Sequence, residues 1–341
     1  MNETYARKLL VESGKQLLET GLVARTWGNV SCRLDEKSCV ITPSGLDYMK
    51  TEEKDIVKLD LETGQWHGER KPSGERGVHI AAYRAFPDAG FVIHTHQTYA
   101  TAVGLAGYDS LDMTDDERQK LGGIALAGYG LSGTKKLTSA VTKALETGAQ
   151  TILMVHHGVL ICGRERDEAI ERAVLLEEVC RRNIRGIPEV KNSSDGLTGG
   201  ETYGEKLTRY RLKPEAADMF GCAEVFVSPA IAAWAGTGMD LVAQIDDMAQ
   251  MIGRKIPIAA DQNDAIKQLK KHSAVIIPGT GAAVRAADED DLEAMKLLVE
   301  KACVCAVHTG SMGVSARLGR IDTALQHFIY MNKYSKQKKG N

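Results

Sequence analysis

The feature that most restricts this chain is the run at residues 90–96, which is apolar, of strand length, and closes on His94-Thr95-His96. Residues i and i+2 of a strand point to the same face, so the two imidazoles project together. Such a pair suits a divalent metal, since zinc takes neutral imidazole nitrogens at about 2.0–2.1 Å. A polar patch on a sheet has the same pattern, so a third ligand is required. His156-His157-Gly158 provides one at the end of a second apolar strand, where the glycine allows a tight turn. Three protein ligands leave a coordination position open, and in zinc chemistry open sites are catalytic.

The elements around these strands predict a layered α/β domain. Helical patterns fall at residues 4–22, 77–86, 134–147 and 167–182, and strand-like runs at 31–34, 39–42, 56–59, 151–156 and 159–162. From Gly186 to Gly200 the chain turns rich in Gly, Ser and Asn, which reads as a linker. The expected organisation is a first domain at 1–185, a linker at 186–200 and a second domain at 201–341. The second half echoes the first: residues 223–236 parallel 89–104, and 276–302 parallel the strand, turn and helix that begin at Met154. On that alignment Ser228 and Ala230 stand for His94 and His96, and Thr280 stands for His157, so the second copy is expected to bind no metal. Two unrelated α/β segments with generic strand-turn-helix patterning would look similar.

Composition narrows the partners. With 43 Lys+Arg against 45 Asp+Glu, the net charge of -2 provides no field for nucleic acid. The lysines at the end (Lys333, Lys336, Lys338, Lys339) read as a solvated tail. No apolar run is long enough to span a membrane, and the polar start has no leader pattern. Seven scattered cysteines make a poor disulfide framework, which predicts a reducing cytoplasm. Cys303-Val304-Cys305 sits in an apolar run and is expected to pack there as small hydrophobes.

Three polar segments add chemistry to the histidines. Glu75, in Pro72-Ser73-Gly74-Glu75, precedes the helix that leads into the histidine strand; a carboxylate there can bind a metal at rest and act as a base afterwards. Alone it would read as a surface glutamate. Gly28-Asn29-Val30-Ser31 and Thr42-Pro43-Ser44-Gly45 are small, hydroxyl-bearing loops whose backbone N–H groups can approach an anion, or plain turns.

In this order, Gly28-Asn29-Val30-Ser31, Thr42-Pro43-Ser44-Gly45, Pro72-Ser73-Gly74-Glu75, His94-Thr95-His96 and His157-Gly158 resemble the class II aldolase/adducin family, whose members include L-fuculose-phosphate aldolase and L-ribulose-5-phosphate 4-epimerase. The resemblance implies a three-layer domain, a mixed or antiparallel central sheet with helices on both sides, followed here by a shorter degenerate copy. It further implies a metal held by His94, His96 and His157, with Glu75 as acid/base. Zinc is the first choice, although three imidazoles also accept Co2+, Mn2+ or Fe2+. Substrate phosphate would rest on Asn29, Ser44, Gly45, Ser73 and Gly74. Family aldolases also use a tyrosine from a neighbouring subunit, and Tyr129 in Gly128-Tyr129-Gly130-Leu131-Ser132-Gly133-Thr134 occupies that place. A homo-oligomer is therefore implied, either a dimer of two-domain chains or a tetramer.

The expected reaction is reversible retro-aldol cleavage of a small sugar phosphate, which leaves an enediolate whose charge a divalent metal stabilises. Family aldolases carry Glu where the epimerases carry Asp, so Glu75 favours cleavage over 4-epimerisation or dehydration. Two departures bear on substrate: Gly74 replaces a second phosphate-binding serine, and Trp27 replaces a small residue. An adducin-like scaffold without catalysis is the reading from another class, and it has no need of the three histidines and the glutamate.

Overall fold

In the computed structural model, which describes residues 1–24, 26–108, 111–188 and 222–334, the chain divides into two units, one covering Met1–Asn183 and the other beginning at Ile184. Residues 189–200 of the expected linker lie outside the described residues, as do 201–221, Lys336, Lys338 and Lys339.

The first unit is built on eight strands: β1 (Asn29–Arg33), β2 (Ser38–Ile41), β3 (Val57–Asp60), β4 (Trp66–His67), β5 (Phe91–Thr95), β6 (Ile124–Ala127), β7 (Thr151–Met154) and β8 (Gly158–Gly163). Their order is β4-β3-β2-β1-β5-β8-β7-β6. Every neighbouring pair is antiparallel except β6–β7, so the sheet is mixed. Six helices accompany it: α1 (Glu3–Glu19), α2 (Arg76–Ala85), α3 (Thr98–Ala106), α4 (Asp115–Lys120), α5 (Lys135–Leu145) and α6 (Arg166–Arg182).

Strand alternation distributes the helices over both faces. Ile152 and Met154 of β7 join Val92, Leu160 and the apolar side of α2 and α5 in one core, while Leu153 meets α3 at Gly104. Helix α5 shows why it lies there: Leu137, Val141, Ala144 and Leu145 fall on one side at i, i+4, i+7 and i+8, and all are buried. Thr134 caps it, its hydroxyl accepting from the Leu137 N–H. The order of layers is helix, sheet, helix.

Two strands end earlier than the sequence suggests. β5 stops at Thr95, so His96 leaves the ladder, and β7 stops at Met154. His156 then turns the chain at φ 68°, the one non-glycine residue with positive φ among the described residues. Left-handed backbone costs a non-glycine residue about 1 kcal/mol or more and persists where the surroundings impose it.

The second unit contains β9 (Cys222–Phe226), α7 (Pro229–Ala235), the short pair β10 (Leu241–Val242) and β11 (Lys255–Ile256), α8 (Asp246–Met251), α9 (Gln262–Leu269), β12 (Ala274–Ile277), β13 (Gly281–Ala286), α10 (Glu289–Ser311) and α11 (Arg320–Ile329). Its main sheet has the order β12-β13-β9, antiparallel throughout, which is the order and sense of β7-β8-β5. The turn glycines match as well. A Cβ on Gly158 would lie 2.3 Å from the Thr95 carbonyl oxygen, and one on Gly281 2.2 Å from that of Phe226. Gly279, at φ 71°, repeats the left-handed turn of His156.

This register corrects part of the sequence alignment. Thr95 faces Val159 and Phe226 faces Ala282, so Val225 and Val227 hold the positions of His94 and His96. Ser228 is the N-cap of α7 and Ala230 lies within that helix. Thr280 does hold the position of His157. Cys303 and Cys305 are buried in α10, and none of the seven cysteines is in a disulfide. Among the described residues no helix is long and apolar enough to cross a membrane.

Candidate metal centre

β5 delivers His94 from within the sheet and His96 from just beyond it, while the turn into β8 delivers His157. Their Nε2 atoms converge: His94 lies 2.9 Å from His96 and 3.2 Å from His157. Glu75 closes the group, its Oε1 2.8 Å from His157 Nε2 and its Oε2 3.1 Å from His94 Nε2. All four ligand atoms lie within 4.8 Å of one another, and His94, His157 and Glu75 are buried.

The donor set fits a divalent cation. His94 Nδ1–H donates to the Val159 carbonyl at 2.8 Å, which turns the other nitrogen's lone pair toward the cluster. Three lone pairs and a carboxylate that meet in a buried space repel one another unless a positive charge joins them. Nitrogens arranged tetrahedrally at zinc bond length are about 3.3 Å apart, close to the separations here. Three imidazoles with one carboxylate make a borderline nitrogen and oxygen site of the kind zinc and its first-row neighbours occupy.

Glu75 reaches the cluster because it stands at the N-cap of α2 without using its side chain as a cap. Its carboxylate is placed by two donors: Asn29 Nδ2 gives a hydrogen bond to Oε2 at 3.0 Å, and the Ser132 hydroxyl gives one to Oε1 at 2.8 Å. Burial pushes the Glu75 carboxyl up, but with protons on the facing His94 and His157 nitrogens in place of a metal ion, their charges and hydrogen bonds outweigh it and hold the group well below the ordinary carboxylate range.

The two small loops lie side by side. Pro43 and Pro72 form an isolated antiparallel bridge, the Ser44 N–H donates to the Lys71 carbonyl at 2.9 Å, and the Ser73 N–H donates to that of Thr42 at 3.1 Å. Ser73 Oγ accepts from the Glu75 N–H at 3.2 Å, which ties this pair of loops to the carboxylate. Gly45 has φ 72°. A Cβ on Gly74 would meet nothing within 4 Å, so space does not explain the missing serine. Gly28 is under tighter constraint, since its φ is +89° and a Cβ would come 2.5 Å from the His94 carbonyl oxygen.

Tyr129 shares a loop with Ser132, yet its ring packs edge-on against His156, with centroids 5.1 Å apart, and lies under the Lys136 ammonium at 5.6 Å. Trp27 stacks at 6.4 Å from His96. Sequence reasoning missed Ser132, and it missed His79, a fully buried histidine beside Asn29. The separation of four between Glu75 and His79 was the available signal, because it puts both on one side of α2.

The fold is that of the class II aldolases. The family model described as the class II aldolase and adducin N-terminal domain matches residues 8–184. The chain belongs to that family, and it is a lyase of the class II aldolase kind. A 5-methylthioribulose-1-phosphate/5-deoxyribulose-1-phosphate aldolase of Rhodospirillum rubrum is 34% identical over 205 residues, covering 58% of this chain and 91% of the relative. A 5-deoxy-D-ribulose 1-phosphate aldolase of Bacillus thuringiensis serovar kurstaki is 32% identical over 155 residues, 45% of this chain and 72% of the relative. Among solved structures an L-fuculose 1-phosphate aldolase is 32% identical and covers 52% of this chain and 84% of its own, with a TM-score of 0.48.

Proposed function

We propose that the chain cleaves a short ketose 1-phosphate of the 5-deoxypentulose type, in the manner of the two curated relatives, whose names specify such substrates and not fuculose phosphate. The observation that carries the reading is the buried contact of Glu75 with His94 and His157 beside His96. Retro-aldol chemistry on a 2-ketose 1-phosphate breaks the bond between C3 and C4. It yields dihydroxyacetone phosphate and, from a 5-deoxypentulose, a two-carbon aldehyde.

A divalent ion held by His94, His96 and His157, with zinc as first choice and Co2+, Mn2+ or Fe2+ as alternatives, supplies a Lewis acid for the negative charge that develops on the substrate oxygens. Glu75 handles the proton at the carbon released by cleavage: in the condensation direction the carboxylate takes it from that carbon, and in cleavage it returns one that originates from the substrate's 4-hydroxyl, so no proton is gained or lost overall. Asn29 and Ser132 hold the carboxylate at that task. Ser44, Gly45, Ser73 and Gly74 receive the phosphate on adjoining loops, with Asn29 at the edge. Tyr129, supplied by a neighbouring subunit of a homo-oligomer, serves the oxygen that becomes the aldehyde.

The second unit is, on this reading, a degenerate copy that packs and does not catalyse. Its strand order and turn supply the support, and Val225, Val227 and Thr280 offer no imidazole. Seven cysteines outside any disulfide support a cytoplasmic setting.

The test is a cleavage screen over 5-deoxyribulose 1-phosphate, 5-methylthioribulose 1-phosphate, fuculose 1-phosphate and their unphosphorylated forms, with dihydroxyacetone phosphate as the readout. The proposal expects the first two phosphates to be cleaved best. Release of no aldehyde from any compound would overturn it, and conversion to an isomer or a dehydrated product would replace it with the epimerase or dehydratase reading.

A further inference from the structure

Strand β1 and helix α2 lie against each other with matched polar spacing. Two strand residues advance about 6.6 Å and four helix residues about 6.0 Å, so alternate residues of β1 can interleave with every fourth residue of α2. That is what Asn29 and Ser31 do with Glu75, His79 and Tyr83. The Tyr83 hydroxyl lies 2.8 Å from Ser31 Oγ, Ser31 Oγ lies 2.7 Å from His79 Nδ1, His79 Nε2 meets Asn29 Oδ1, and Asn29 Nδ2 lies 3.0 Å from Glu75 Oε2. All five residues are buried, and Ser31 and His79 are fully so.

Only one set of donors satisfies this row. An ionised Glu75 accepts and cannot donate, so Asn29 must turn its N–H toward it and its carbonyl toward His79. His79 must then carry its proton on Nε2 and present a lone pair at Nδ1. Ser31 has a single hydroxyl proton, which goes to that lone pair, leaving Tyr83 as donor to Ser31. Burial pushes the His79 imidazole down to about 3, so the ring is neutral and has a lone pair to offer.

We propose that His79 is a positioning residue for the carboxylate of Glu75, acting through Asn29: fixed as the Nε2–H tautomer, it holds the Asn29 amide with its N–H, and not its carbonyl, facing Glu75. The proposal rests on the reading of Glu75 as the acid/base of the reaction. His79 touches none of the metal ligands in any contact described above; it reaches the site only through Asn29 and Ser31. A core histidine that merely fills space would be replaceable by a ring of the same shape. Here a phenylalanine leaves the Asn29 amide free to rotate, and the flipped amide sets a carbonyl oxygen against a carboxylate oxygen.

His79→Phe and His79→Gln separate the two cases in the metal-loaded enzyme. The proposal expects kcat to fall roughly 10- to 100-fold in His79→Phe, the range found when groups behind an active-site ligand are removed. KM stays within about twofold and the metal content per chain is unchanged, while His79→Gln, which restores an N–H toward Asn29, recovers most of the loss. Wild-type kcat in a folded His79→Phe protein would overturn the proposal, as would equal losses in both variants. Should His79→Phe fail to fold, nuclear magnetic resonance of the wild-type protein decides. The proposal requires His79 protonated at Nε2 and bare at Nδ1, and an Asn29 side-chain amide protected from exchange; the opposite tautomer would overturn it. That spectrum needs no substrate, so it judges His79 even if the cleavage screen fails and takes the functional reading with it.

Discussion

Glu75 is a carboxylate that the chain has gone to some length to bury and orient. It receives Asn29 on one oxygen and Ser132 on the other, and it faces two imidazoles. Removing its charge and keeping its shape tests its role directly. Glu75→Gln is expected to lower kcat by about 10²- to 10⁴-fold, the range of a lost general acid/base, with the metal still held by the three histidines. Steady-state kinetics alongside metal analysis checks both halves of that statement. His79 carries a prediction about stability. An unfolded chain takes up a proton at this residue below its ordinary value of 6.5, the folded chain only near about 3. Its contribution is therefore fully present above pH 6.5 and is lost as pH falls toward 3, with roughly 2 kcal/mol gone by pH 5. Denaturant titrations of the metal-free protein at about pH 7.5 and pH 5 should show this loss, and His79→Gln should reduce it.

The strand that follows His157 depends on a turn with no room for a side chain, and the second unit repeats that turn. Gly158→Ala would drive a methyl into the Thr95 carbonyl, 2.3 Å away, at the point where β8 leaves the His156-His157 turn. Backbone cannot yield as a flexible side chain does, so a loss of about 2–4 kcal/mol and a weakened metal site are expected. Gly281→Ala makes the same clash in the second unit and should lower stability with metal stoichiometry intact; calorimetry and metal analysis of the two variants distinguish them. Much at this scale was legible in the sequence. The long apolar periodicities gave α1, α2, α5, α6 and most strands, and the three histidines with Glu75 were readable because each sits in a short local pattern. What was hidden depended on tertiary approach. Ser132 is an ordinary loop serine until its loop meets Glu75, and His79 is an ordinary helical histidine until β1 lies beside α2. β6 was missed because Ile-Ala-Leu-Ala is too short and too weakly patterned to declare itself. In the second unit, alignment by similar letters chose Ser228 and Ala230, whereas the ladder is fixed by where Gly281 allows the turn, which selects Val225 and Val227.

At the scale of the whole molecule, the family's match ends at residue 184, one residue past Asn183, where the first unit closes. The second unit keeps the three-strand arrangement, with Val225, Val227 and Thr280 at the positions that carry histidines in the first. The proposed service of Tyr129 to a neighbouring subunit requires self-association. Light scattering should report an oligomer, and inactive Glu75→Gln chains mixed with inactive Tyr129→Phe chains should recover part of the activity through hybrid sites. The central claim is that one metal centre, in the first unit alone, makes this chain an aldolase. Metal analysis of protein purified without chelator tests it most directly. The account predicts one divalent ion per chain, lost in His94→Ala; protein without metal, or two ions per chain, would contradict it.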